Sequence, residues 1–137
     1  MSFLVFLAIK KFQNKFIVLL KDKFLEFYSC QELKEEIQTT FTKERLQKYL
    51  DKDLIEKFWS MFDFSVHEIK ITSVVEICRD KKDNFLLALA KDAHADFLLT
   101  GDKDLLDIGK FENTIICTLT TFIEKFYPGI SGSKSEL

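Results

Sequence analysis

The chain has 137 residues, of which 47% are hydrophobic and 31% are charged. This length allows one domain with a substantial core and is too short for two, and the composition excludes a disordered chain. Because 20 basic residues stand against 22 acidic ones, a strongly basic nucleic-acid surface is also excluded, and any such surface would have to be local.

The cysteines and the apolar start of the chain bear on its compartment. Cys30, Cys78 and Cys117 are odd in number and widely spaced, which suits neither a disulfide framework nor a paired-cysteine zinc site. We expect buried thiols in a reducing compartment. The apolar segment 3–9 is too short to span a bilayer and lacks the features of a signal peptide. The sequence therefore predicts a cytoplasmic protein with no membrane partner.

The first half of the chain is predicted to be mostly helical. Apolar residues at helical spacing predict an amphipathic helix over residues 2–21, although its start favours a strand. Residues 24–28 alternate apolar and polar side chains and predict a short strand, which is followed by a polar helix over 31–40. The spacing over 43–62 predicts one or two further helices.

Strands and helices alternate in the second half. Residues 64–75 are predicted to contain a strand, and 79–83 a charged loop. Asp83 is expected to cap a helix over 84–94. A buried strand over 97–100 follows, because this short apolar run ends at a glycine.

The last predicted elements complete an α/β domain. A final strand over 114–117 precedes a helix that Thr120 or Thr121 would open. Alternating strands and helices indicate a mostly parallel sheet covered on both faces. We expect the domain to occupy residues 1–127 and to be followed by a flexible tail over 128–137.

Acidic residues follow several of the predicted strands. In open α/β sheets, ligands bind beyond the carboxyl ends of the strands. Asp83 starts a helix near that edge, and Asp102 and Asp104 follow the strand over 97–100. Glu36 lies between two apolar positions of the helix after the first predicted strand, so it is the glutamate of that helix most expected to point inward.

These carboxylates have two interpretations. Converging within about 5 Å, they would repel one another by roughly 3 kcal/mol per pair at an effective dielectric constant near 20. A hard cation such as Mg²⁺ or Mn²⁺, or protonation of one carboxylate, would offset that repulsion. Alternatively, Asp83 is only a helix cap, worth about 1 kcal/mol, and Asp102 and Asp104 are only turn residues.

Two motifs in the second half resemble a known family. Residues 79–90 read Arg-Asp-x-x-Asp-Asn-Phe-Leu-Leu-Ala-Leu-Ala, and residues 95–106 read Ala-Asp-Phe-Leu-Leu-Thr-Gly-Asp-Lys-Asp-Leu-Leu. Together they resemble the PIN-domain family, in particular its toxins of toxin-antitoxin pairs. A weaker match, Ser-Cys-Gln-Glu-Leu-Lys-Glu-Glu-Ile over 29–37, is similar to the family's helix with an active-site glutamate.

The resemblance implies a three-layer α/β/α sandwich with a mostly parallel sheet and a Mg²⁺- or Mn²⁺-dependent endoribonuclease. It also implies an RNA substrate, frequent homodimers and a small antitoxin protein. Carried over by position, the catalytic and metal-binding residues would be Glu36, Asp83 and Asp102. Asp104 would be a further metal ligand, and Thr100 and Asp80 would support the site.

One departure from the family pattern affects the expected activity. Family members begin with a strand ending in Asp-Thr-Asn, whose aspartate binds metal, and Ser2-Phe3-Leu4 resembles the segment after it. The first strand and first catalytic aspartate are therefore missing from the match, either because the start of the chain is assigned too late or because the chain is a degenerate member of the family. We expect residues 3–7, or a second copy of the chain, to fill the gap in the sheet, because unpaired buried backbone groups cost roughly 1 to 3 kcal/mol each.

Two other functions remain as alternatives to an active ribonuclease. One is an inactive PIN-fold module that binds RNA or a protein partner, because the first acidic ligand is missing. The other is an aspartate-based phosphatase or phospho-receiver, which is disfavoured because no early strand ends in an aspartate.

Overall fold

One six-stranded sheet organises the described part of the chain, which in this computed structural model comprises residues 3–8, 19, 22, 25–42 and 52–131. The strands are β1 (Phe3–Ala8), β2 (Leu25–Ser29), β3 (Val66–Glu68), β4 (Phe97–Thr100), β5 (Lys110–Phe111) and β6 (Thr114–Cys117). Their order across the sheet is β3-β2-β1-β4-β6-β5. All neighbours pair in parallel except β5 and β6, so the predicted mostly parallel α/β sheet is confirmed.

The helices lie between and after these strands. They are α1 (Gln31–Phe41), α2 (Lys52–Ser65), α3 (Asn84–Ala93), α4 (Lys103–Leu106), α5 (Leu119–Phe126) and α6 (Pro128–Ser131). A 3-10 turn over Lys81–Asp83 leads directly into α3. Within the described residues, no helix is both long enough and apolar enough to cross a membrane.

The central strand β1 corrects the predicted helix over residues 2–21. Phe3–Ala8 is a strand, and it pairs with β2 on one side and with β4 on the other. A strand inside a parallel sheet reads as a continuous apolar run, and such a run over a few residues cannot be told from a buried helix by periodicity. The alternative expectation, that this segment extends to fill the sheet, is confirmed. Residues 9–18, 20 and 21 of the predicted helix lie outside the described residues.

The core centres on β4 and α3. All of β4 is buried, as are residues 86–90 of α3, which explains why both segments carry almost uninterrupted apolar sequences. The rings of Phe97, Phe122 and Phe126 pack with centroids 5.0 to 5.4 Å apart, joining β4 to α5. This packing anchors the start of β4 against α5.

The strand predicted within residues 64–75 is confirmed, and it is short. Helix α2 continues to Ser65, β3 contains only Val66–Glu68, and residues 69–77 have no regular structure. Asp92 of α3 accepts hydrogen bonds from the backbone N–H groups of Thr72, at 2.6 Å, and Ser73, at 3.0 Å. These backbone groups are therefore satisfied by a helix side chain rather than by a sheet ladder.

The end of the described chain differs in detail from the prediction. Helix α5 begins at Leu119 and is capped by Thr118, not by Thr120 or Thr121 as predicted. The Oγ1 atom of Thr118 accepts a hydrogen bond from the N–H of Thr121 at 3.0 Å. Elements α4 and β5 were not predicted, because they are too short to show a period. Residues 132–137 lie outside the described part, so the domain boundary at 127 and the flexible tail remain predictions.

Candidate active site

Asp102 is placed by the carboxyl end of β4. Its backbone N–H donates to Thr100 Oγ1 at 3.0 Å, and its Oδ1 accepts from the N–H of Asp104 at 2.9 Å, which caps α4. Asp102 is 7% exposed and Thr100 4%. The predicted turn role of Asp102 is thus real, but a turn residue is ordinarily exposed, and this carboxylate is buried.

Asp83 occupies the start of α3 without capping it. Its backbone is already helical, at φ −95° and ψ −2°, and its side chain makes no capping hydrogen bond, so the predicted cap is wrong. The reason is the 3-10 turn before it, since a capping residue needs an extended backbone. Asp80 caps that turn through Lys82 N–H, at 3.1 Å, and Asn84 Oδ1 accepts from Cys78 N–H at 2.8 Å.

Burial distinguishes Asp83 from an ordinary surface carboxylate. The residue is 5% exposed, and its Oδ2 atom is fully buried. Buried charged groups need compensation by hydrogen bonds or by opposite charge, because desolvation disfavours them. A place at the start of a helix therefore does not by itself explain why the Asp83 carboxylate is buried.

Glu36 points inward from α1, as its position between apolar residues predicts. Its Oε2 atom is fully buried, whereas Glu32 and Glu35 on the same helix are exposed. The structure does not bring the predicted ligands into one cage. Among the described residues, no group of three or more His, Cys, Asp or Glu side chains is arranged to hold a metal ion.

Cys78 identifies the carboxylates that do lie near one another. Burial raises the pKa of its thiol, and the charges of Asp83, Asp102 and Asp104 raise that pKa further, although a hydrogen bond from the backbone of Asp80 lowers it. One buried thiol therefore responds to carboxylates from both sequence motifs. The sequence predicted Cys78 as a buried thiol, which is confirmed, but did not assign it to the site. Its only signal for the site is its position directly before the Arg-Asp pair.

Arg79 is a second residue that the sequence reasoning did not assign. Its Nη2 atom lies 2.8 Å from Asp104 Oδ1 and 2.7 Å from Asp107 Oδ2. Hydrogen bonds to Asp107 and then to Asp104 raise the pKa of the guanidinium, so it remains charged. Arg79 was visible as the first residue of the motif over 79–90, but no sequence pattern indicates which carboxylates it contacts.

The carboxyl end of β1 carries no acidic residue. Ala8 aligns with Thr100 of β4, so the two strands end side by side at the edge where Asp102 lies. The first acidic residue of the sequence is Asp22. Within the described residues, this edge therefore has carboxylates after β4 and on α1 and α3, but none at the end of β1.

A cleft of about 530 Å³ opens beside the start of α1, at the carboxyl ends of β2 and β3. Two carboxylates and one ammonium group line it, so its charge does not favour a phosphate. Its lining residues are Gln31, Glu32, Glu68, Ile69, Lys70 and Ile71.

The fold and these side chains define an α/β domain with buried carboxylates beyond the carboxyl ends of a mostly parallel sheet. The family model of the PIN domain matches residues 1–104, which is most of the chain. The chain belongs to the PIN-domain family, whose members are typically nucleases that use divalent metal ions. Comparison with curated proteins and with solved structures gave no significant match.

The residues present fit such a cation in chemistry and only partly in geometry. Asp83 and Asp102 are buried carboxylates whose charges reach the same thiol, and oxygen donors suit Mg²⁺ and Mn²⁺. The described residues nevertheless form no cage of three or more ligands. Mg²⁺ tolerates this, since it commonly binds through one or two carboxylates and keeps several waters.

Proposed function

We propose that this chain is a Mg²⁺- or Mn²⁺-dependent PIN-family endoribonuclease and the toxin component of a toxin-antitoxin pair. The observation that carries the proposal is the burial of both Asp83 and Asp102, whose charges each raise the pKa of the Cys78 thiol. Two carboxylates in one partly desolvated region repel each other, and a bound cation or a shared proton would offset that cost. Family membership favours the cation.

Each predicted residue has a role in this proposal. Glu36, Asp83 and Asp102 would hold the cation, and Asp104 would add a further ligand. Thr100 orients Asp102 by accepting its backbone N–H. A bound Mg²⁺ or Mn²⁺ supplies Lewis-acid activation of water and neutralises charge on a phosphodiester.

The wider proposal extends beyond the site. It includes helices on both faces of the sheet as a three-layer sandwich, a cytoplasmic location, a homodimer and an antitoxin protein as partner. These properties rest on the resemblance to toxins within the family. Size-exclusion chromatography with light scattering tests the homodimer, because a monomer at all concentrations would remove it.

The substrate is tested with matched oligonucleotides. Single-stranded RNA and DNA of the same sequence, labelled at one end, are incubated with the protein in Mn²⁺ or in EDTA. We expect cleavage of the RNA in Mn²⁺ alone. Cleavage that persists in EDTA, or cleavage of the DNA alone, would contradict the proposal.

The end of β1 favours a second candidate function, an inactive PIN-fold module that binds RNA or protein. Ala8 ends β1 beside Thr100, and β1 fills the place in the sheet of the family's first strand, which ends in the first acidic ligand. Ala8→Asp tests this candidate by adding a carboxylate at that position. If the site is inactive for lack of this ligand, Ala8→Asp should gain Mn²⁺-dependent cleavage that the unchanged chain lacks.

A further inference from the structure

The guanidinium of Arg79 joins parts of the candidate site that are far apart in sequence. Its Nε donates to Asp104 Oδ1 at 3.0 Å, and its Nη2 lies 2.8 Å from the same oxygen. Nη2 also donates to Asp107 Oδ2 at 2.7 Å. Arg79 therefore fastens the segment before the 3-10 turn to α4.

Asp104 is held from two sides. Its backbone N–H donates to Asp102 Oδ1 at 2.9 Å, which fixes its main chain beside Asp102. Its carboxylate, in contrast, is drawn to Arg79. The main chain of Asp104 is therefore held beside Asp102, while its carboxylate is engaged by Arg79.

A guanidinium and a divalent cation compete for the same carboxylate oxygen. The guanidinium cannot be released from the ion pair by deprotonation, since arginine stays charged at all accessible pH values. The side chain of Arg79 is 68% exposed and that of Asp104 is 32% exposed, so water screens the ion pair and the two groups can separate.

We propose that Arg79 is a positioning residue that competes with the divalent cation for Asp104 and thereby sets the cation affinity of the site. This inference rests on the proposed metal-dependent function. With Arg79 in place, Asp104 is held in the ion pair. When the guanidinium is removed, Asp104 is available as an additional ligand for the cation.

The test is a Mn²⁺ titration by isothermal calorimetry of the full chain and its variants, without RNA. Removing the positive charge that occupies Asp104 should tighten binding of a divalent cation by about tenfold, which is the size that Coulomb's law gives for one unit charge a few ångströms away in water. We therefore expect Arg79→Gln to bind Mn²⁺ about tenfold more tightly than the unchanged chain. The Mn²⁺ affinity of Arg79→Lys should lie between those of the unchanged chain and Arg79→Gln. Arg79→Gln combined with Asp104→Asn should lose the gain.

Lys91→Gln is the matched control. Lys91 pairs with Glu112 at 3.5 Å near the opposite end of α3, and both side chains are about half exposed. The substitution removes the same charge and a surface ion pair away from the site, so Mn²⁺ affinity should stay unchanged.

The outcomes separate the inference from the function on which it rests. If the unchanged chain binds Mn²⁺ and Arg79→Gln binds it equally or more weakly, Arg79 does not compete for Asp104 and the inference is overturned. If neither binds Mn²⁺, the proposed metal-dependent function fails as well. If Arg79→Gln does not fold, the titration of Arg79→Lys decides the test. A Mn²⁺ affinity of Arg79→Lys equal to that of the unchanged chain overturns the inference.

Discussion

Asp102 combines a structural role with a proposed chemical one, and two substitutions separate them. Its Oδ1 caps α4 through the N–H of Asp104, at 2.9 Å. Asparagine caps a helix about as well as aspartate, whereas alanine loses about 1 kcal/mol. Without metal, Asp102→Asn should therefore retain the melting temperature, and Asp102→Ala should lower it by about 3 to 5 °C for a domain of this size.

Manganese should separate the melting temperatures of the unchanged chain and Asp102→Asn, which are expected to be equal without metal. At about a hundred times its dissociation constant, a cation that binds only the folded state stabilises it by roughly 2.7 kcal/mol. The melting temperature of the unchanged chain should then rise by about 10 °C. Both Asp102 variants should lose most of this rise, because each removes the charge that binds the cation.

The assay is thermal unfolding followed by circular dichroism across a Mn²⁺ titration. Asp53→Asn is the control, since Asp53 is exposed in the first turn of α2, a helix that carries none of the proposed ligands. It should retain the full rise. A flat melting temperature for the unchanged chain, or a rise of equal size in Asp102→Asn, would refute the metal-binding role.

Other groups give independent tests of the fold. Thr114 Oγ1 donates to the carbonyl of Ala95 at 2.7 Å in a buried position, so Thr114→Val should cost about 1 to 3 kcal/mol in urea unfolding; no loss would refute the bond. Burial raises the pKa of Asp92, but hydrogen bonds from Ser73 and Thr72 outweigh it and lower that pKa. Its stabilisation should therefore be present above about pH 4 and lost as pH falls through the lowered value, and Asp92→Asn should flatten this acid dependence. Burial raises the pKa of Cys30 to about 11, so iodoacetamide at pH 8 should modify the partly exposed Cys117 first, as mass spectrometry would show.

The sequence predicted those elements in which local signals agree with the tertiary environment. The strand β4 and the helix α3 were found because a short apolar run and a helical period each match the burial that the structure gives them. The apolar spacing assigned β1 to a helix because its residues also fit the start of a helical period, whereas the gap in the family's sheet predicted an extended segment. Only its two partners in the sheet select the extended form, and pairing across the sheet has no local signal.

The sequence predicted which acidic residues belong to the candidate site, but it did not predict the contacts that their side chains make. Asp83 starts α3 and Asp102 follows the carboxyl end of β4, as the motif predicts, and both are buried. The ion pair between Arg79 and Asp104 spans 25 residues, and no periodicity links positions that far apart. Asp83 does not cap α3 because it belongs to a 3-10 turn of three residues. The sequence predicted only a charged loop for that segment.

The central claim is that these buried carboxylates make the chain a metal-dependent ribonuclease. Single-turnover cleavage of an end-labelled single-stranded RNA in Mn²⁺ tests it most directly, with excess protein and with Asp102→Asn in parallel. We predict cleavage by the unchanged chain that EDTA abolishes and that Asp102→Asn reduces by at least about a hundredfold, equivalent to about 2.7 kcal/mol of transition-state stabilisation. RNA that is bound but left intact by the unchanged chain, or cut equally well by Asp102→Asn, would contradict the claim.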